Sequence, residues 1–209
     1  LDSVLFENNE SYGGGGIYSR DSEVTISNSN VRNNENLPDG YGGGLFGNNS
    51  TIILNSTDLE NNISDHGGGI YADNSIVTID NSSFTNNLSD NSGGGILADH
   101  SGTNISITSS TFSNNEGSNG GGIYVTGGAS IEVSTSLFHN NISVVAGGIY
   151  LNNAQPTLIN NCTFVNHTNS SDDDTDAAAI HIGANELTVS NSIFWDNYPT
   201  VFKVGQGGS

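Results

Sequence analysis

From Gly67 the chain runs GGGIYADNSIVTIDNSSFTNN, with apolar and polar residues alternating. Ile70 and Ala72 fall on one face with Tyr71 on the other, and Val77 and Ile79 share a face that Thr78 opposes. A period of two marks half-buried strands, and no segment carries the period of an amphipathic helix. The pattern returns from Gly93 as GGGILADHSGTNISITSSTFSNN. Aligned on the residue after the glycines, Ile17, Leu45, Ile70, Ile96, Ile123, Ile149 and Ile180 recur every 25 to 31 residues. Aligned on the later aromatic position, Phe6, Val31, Leu59, Phe84, Phe112, Phe138, Phe164 and Phe194 recur every 25 to 30.

Each repeat therefore predicts three short strands separated by Gly, Asn, Asp and Ser turns. Such a unit cannot bury its apolar face alone, but stacked on copies of itself it can, each strand pairing in parallel with its equivalent one coil away. The expected fold is all-β: a right-handed parallel β-helix (solenoid) of about seven complete coils plus partial end coils, forming a single domain over 1–209. The hand is what the family resemblance described below implies.

Stacking also accounts for the polar columns. Two residues before the aromatic position lie Ser29, Thr57, Ser82, Ser110, Ser136, Cys162 and Ser192, as a narrow interior corner requires. Cys162, the single cysteine, is expected there as a small buried residue. Three residues after the aromatic lie Asn9, Asn34, Asn62, Asn87, Asn115, Asn141, His167 and Asn197. Stacked amides in that column can hydrogen-bond along the axis.

These motifs resemble the paired G-G-[small]-[Ile/Leu/Val] and F-x-x-N repeats of the chlamydial polymorphic outer-membrane proteins, and the Gly/Asn-rich coils of secreted bacterial right-handed parallel β-helix proteins. The first motif reads Gly-Gly-Gly-Ile/Leu five times, then Ala146–Ile149 and Ala177–Ile180; the second stands at Phe6, Phe84, Phe112, Phe138 and Phe194. NSIFWDN, from Asn191, is similar to a variant late coil of such proteins. The resemblance spans the whole chain. It implies right-handed coiling, secretion to the exterior or the cell surface, and adhesive or structural roles.

Charge narrows the partners. Three Lys and Arg stand against 22 Asp and Glu, a net charge of −19, which disfavours nucleic acid and anionic membranes and favours divalent cations. No apolar run is long enough to span a bilayer, and the repeat is already under way at Leu1, as in a piece of a longer or processed protein. The partial coils at the two ends are nearly complementary, so head-to-tail or lateral self-association into a filament is a further expectation.

Four features are candidates for chemistry. The residue after the Ile column points outward and reads Tyr18, Phe46, Tyr71, Leu97, Tyr124, Tyr150, His181. Such an aromatic stripe serves as a contact surface for a glycan or a cell-surface protein, or shields bare glycine backbone. Asp73 and Asp99 occupy one column on adjacent coils, and Asp65 and Asp90 do likewise in the loops. Like charges at coil spacing are relieved by a cation or by sharing a proton, and Asp73 with Asp99 is the alternative catalytic pair of a glycosidase-like enzyme. The insertion NSSDDDTD offers Asp172, Asp173, Asp174 and Asp176 as oxygen ligands for calcium, without an EF-hand spacing. The five histidines fall in different columns, which argues against a transition-metal site. No motif requires a cofactor. Twelve N-x-[ST] sequons are expected from an Asn/Ser/Thr-rich composition, and four of them fall in the asparagine column.

Overall fold

The computed structural model describes residues 1–170, 176–183 and 186–204. Among these there is no helix, and every strand pairs in parallel with its equivalent in the next coil. The chain is a β-solenoid of about seven turns with four sheets rather than three strands per coil. One coil shows the order. Ile70–Asp73 belongs to an eight-stranded sheet, here the tyrosine sheet; Ile76–Asp80 to a seven-stranded valine–isoleucine sheet; Ser83–Thr85 to an eight-stranded phenylalanine sheet. Leu88–Ser92 then adds a seven-stranded fourth sheet, the bulged sheet, whose register slips between Ser89 and Ser92. Its strands carry Ser, Asp and Asn where an apolar alternation would be expected, so the sequence reads as loop. Backbone pairing builds it, and buried serines fill the slip: Ser89 Oγ accepts from Ser92 N at 3.0 Å and donates to Asp65 O at 2.8 Å.

The interior is a stack of columns. Val77, Ile79, Phe84, Ile70 and their equivalents in the inner coils are almost wholly buried, and those of the end coils, such as Phe6, Ile17 and Phe194, partly so. From Phe84 through Phe112, Phe138 and Phe164 to Phe194 the rings stack at centroid spacings of 4.6, 4.8, 4.7 and 4.9 Å, with planes within 9°. That is the coil spacing of parallel strands, so the ring column and the backbone ladder share one period.

The two asparagines of F-x-N-N do different work. The first, such as Asn86 (φ 55°), turns the corner in the left-handed region, which Asn tolerates. The second forms the ladder: Asn62 Nδ2 donates to Asn87 Oδ1 at 3.0 Å, Asn62 N donates to the same oxygen at 3.1 Å, and Asn87 Nδ2 donates to Asn115 Oδ1 and to Leu59 O. All of these side chains are fully buried. The expected amide ladder is present, and sequons at Asn62, Asn87 and Asn141 lie where a glycan has no room. The glycine triplet divides in the same way. Gly67 has φ +69°, whereas a Cβ on Gly68 would stand 2.5 Å from Leu88 O and 2.6 Å from Gly94 O. The first glycine serves conformation and the second serves close approach of backbones.

Candidate outer contact surface

The outward column of the tyrosine sheet lies where the sequence placed it, in strict register: Tyr71 opposes Phe46 on one side and Leu97 on the other, and Tyr124 opposes Tyr150. Its rings stack on one another along the axis. Tyr18–Phe46 and Phe46–Tyr71 lie 5.1 Å apart and Tyr124–Tyr150 5.0 Å apart. Ring faces are thus consumed within the ladder. Leu97 divides the column into two runs. In the first, the seven-residue strand Glu35–Tyr41 carries Tyr41 over Phe46 and Tyr71, at 5.7 and 5.1 Å, and His66 stacks on Tyr41 at 5.3 Å. Tyr71 is consequently only 7% exposed, while Tyr18 remains 51% exposed and Phe46, Tyr124 and Tyr150 are half-buried. Burial, reinforced by the carboxylates of Asp99 and Asp73, pushes the Tyr71 hydroxyl well above its ordinary range. Burial also raises Tyr150. Nothing in the sequence of the strand 35–41 marks Tyr41 as a cover, since the contact depends on the fourth sheet.

The structure brings Asp73 and Asp99 side by side as register partners. A residue absent from the sequence-level pair stands between them. His100, in the left-handed region at φ 70°, places Nδ1 at 2.8 Å from Asp73 Oδ1 and 3.5 Å from Asp99 Oδ2. Asn48 Nδ2 donates to the other Asp73 oxygen at 2.6 Å, and His100 N donates to Asp99 Oδ1 at 2.7 Å. Both carboxylates are therefore engaged by their own fold. Asp65 and Asp90 lie in the bulged sheet, not in loops; Asp65 Oδ2 accepts from the backbone N of Asp39.

Of the four aspartates offered for calcium, Asp172, Asp173 and Asp174 lie outside the described residues. Asp176 is described, with its carboxylate 3.6 Å from His181 Nδ1. Among the described residues no group of three or more His, Cys, Asp and Glu is arranged to hold a metal ion. Cys162 is buried and free, with Sγ 3.3 Å from Asn160 O, in the position where its serine equivalents bond the carbonyl two residues back. Burial raises its thiol pKa, as suits a packing residue rather than a nucleophile. Among the described residues no helix is long and apolar enough to cross a membrane.

No curated protein and no solved structure matches the chain. A family model described as a right handed beta helix region matches residues 2–134 and again 58–209, which together cover nearly all of it. With the four-sheet parallel solenoid and its stacked interior columns, that match establishes that the chain belongs to the right-handed β-helix family.

Proposed function

We propose that this protein is a structural and adhesive binding scaffold displayed outside the cell, whose outer faces hold a macromolecular partner or a glycan, and that it works by contact rather than by turnover. One observation carries this: the tyrosine sheet presents Tyr18, Phe46, Tyr124 and Tyr150 as exposed or half-buried rings, stacked at coil spacing in two runs along the axis. Side chains held on a rigid repeating scaffold present many weak contacts at little ordering cost, the condition under which an extended partner binds. The carboxylates that would serve a glycosidase already receive hydrogen bonds from His100 and Asn48, which favours binding over hydrolysis. External placement rests on the resemblance of the repeat motifs to those of secreted and cell-surface β-helix proteins. The test is a panel of glycans and extracellular matrix proteins, probed with the intact chain and with Tyr18→Ala, Tyr124→Ala and Tyr150→Ala. Binding that these variants weaken supports the proposal. Glycan hydrolysis that disappears in Asp73→Asn or Asp99→Asn would replace it with the enzymatic alternative.

A further inference from the structure

The face beside the tyrosine sheet carries a pattern of its own. The bulged sheet comprises Glu10–Gly13, Glu35–Tyr41, Ile63–His66, Leu88–Ser92, Glu116–Asn119, Ile142–Ser143 and Thr168–Asn169. These strands hold Glu10, Glu35, Asp39, Asp65, Asp90 and Glu116, and not one Lys or Arg. Glu10 and Glu35 are register partners, and their column continues through Ile63 and Leu88 to Glu116. Two further features occur on the same face. At one end stand exposed tyrosines: Tyr12 is 74% and Tyr41 41% exposed, with Tyr18 beside them on the neighbouring sheet. Midway lies a cavity of about 140 Å³ walled by the carboxylate residues Asp90 and Glu116, by apolar Leu88, Ile142 and Val144, and by Gly117 and four serines.

We propose that this face is a docking surface for an extended, arginine-rich polypeptide segment lying along the solenoid axis. The inference deepens the proposed function, on which it rests, by naming the chemistry of the partner. Charge complementarity selects the occupant. A second copy of this chain, itself at −19, brings further repulsion. A guanidinium both stacks on an exposed tyrosine and pairs with a carboxylate, and Tyr12 presents an open ring on the strand that carries Glu10, the register partner of Glu35. The cavity matches the other half of a long basic side chain: Leu88, Ile142 and Val144 meet the methylene stem while Asp90 and Glu116 meet the head.

The experiment measures binding of fluorescent oligoarginine, oligolysine and oligoglutamate to the intact chain by anisotropy, at low and at physiological ionic strength. Oligoarginine is expected to bind, to bind severalfold tighter than oligolysine, and to weaken with salt, while oligoglutamate does not bind. Tyr12→Ala, which removes an exposed ring and no charge, is expected to weaken oligoarginine by roughly three- to fivefold. Asp90→Asn with Glu116→Gln should weaken it further, whereas Asp58→Asn with Glu60→Gln, an equal charge loss on the phenylalanine-sheet strand Asp58–Glu60, should change it little. Circular dichroism establishes that each variant is folded. Equal affinity for arginine and lysine together with no effect of Tyr12→Ala, or equal losses from the two charge-matched pairs, overturns the proposal in favour of diffuse attraction to a polyanion. Tighter binding of an amino-polysaccharide than of either peptide overturns it as well. If the peptides fail while the glycan and protein panel yields a ligand at the tyrosine sheet, only this inference falls; if neither finds a ligand, the proposed function falls with it.

Discussion

His167 is the one departure from asparagine within the interior of the ladder, and its replacement by asparagine tests how the ladder stabilises the fold. The His167 side chain is fully buried. Its Nδ1 accepts from Asn141 N at 3.1 Å, which assigns the proton to Nε2, and Nε2 has no hydrogen-bond partner. A ladder asparagine accepts two bonds from the preceding coil and donates to the carbonyl of the aromatic position there, as Asn141 Nδ2 does to Phe112 O. His167 accepts only the backbone bond. Burial lowers its pKa from the ordinary 6.5 to about 4. The unfolded chain therefore takes up the proton first, so the folded state has its full stability above pH ~6.5 and loses it as pH falls toward ~4. A displacement of about 2.5 units corresponds to a loss of roughly 3 kcal/mol across that window. His167→Asn removes the titrating group and restores about two buried hydrogen bonds at ~0.5–1.5 kcal/mol each, set against some lost packing on Phe164, at 6.1 Å. Urea denaturation followed by circular dichroism, at pH 7.5, 6, 5 and 4, should show the variant at least as stable as the parent at neutral pH and ahead of it by a growing margin in acid. Parallel pH profiles for the two proteins would refute the linkage, and a variant less stable at every pH would refute the claim that the ladder position prefers an amide.

Two further outcomes follow from the same contacts. Asn87→Ala leaves Asn62 N, Asn62 Nδ2, Asn115 Oδ1 and Leu59 O short of a partner in the interior, and should cost at least ~3 kcal/mol by chemical denaturation. Gly68→Ala should be worse than Gly67→Ala in thermal melts: the first drives a Cβ into backbone oxygens of two segments, while the second also crowds Ile70 O but is open to relief by a local change of φ, a strain of about 1–3 kcal/mol.

What the sequence determined by itself was everything with a period. Apolar alternation within a coil, and the recurrence of Ile, Phe, Ser and Asn columns between coils, specify an all-β stack. Identical residues can fall into columns only if each strand pairs with its own copy. The ladder of Asn34 through Asn141 and the burial of Cys162 follow from that pairing and were legible in advance. The tertiary structure alone decided what depends on atoms a whole coil apart without repeating. The fourth sheet carries no apolar alternation, because its strands are held by backbone pairing and by buried serines rather than by burying apolar side chains. Tyr41 covers Tyr71 because one strand of that sheet is lengthened, so Tyr71 of the expected outward stripe lies 7% exposed, while Tyr18, two coils away in the same column, stays open. His100 enters between Asp73 and Asp99 from a left-handed corner, a backbone conformation that residue type only weakly announces. The fold is a property of the repeat, which is written in every coil. The character of the outer surface is set where individual coils depart from the repeat, and a departure takes on meaning only through the neighbours that folding supplies.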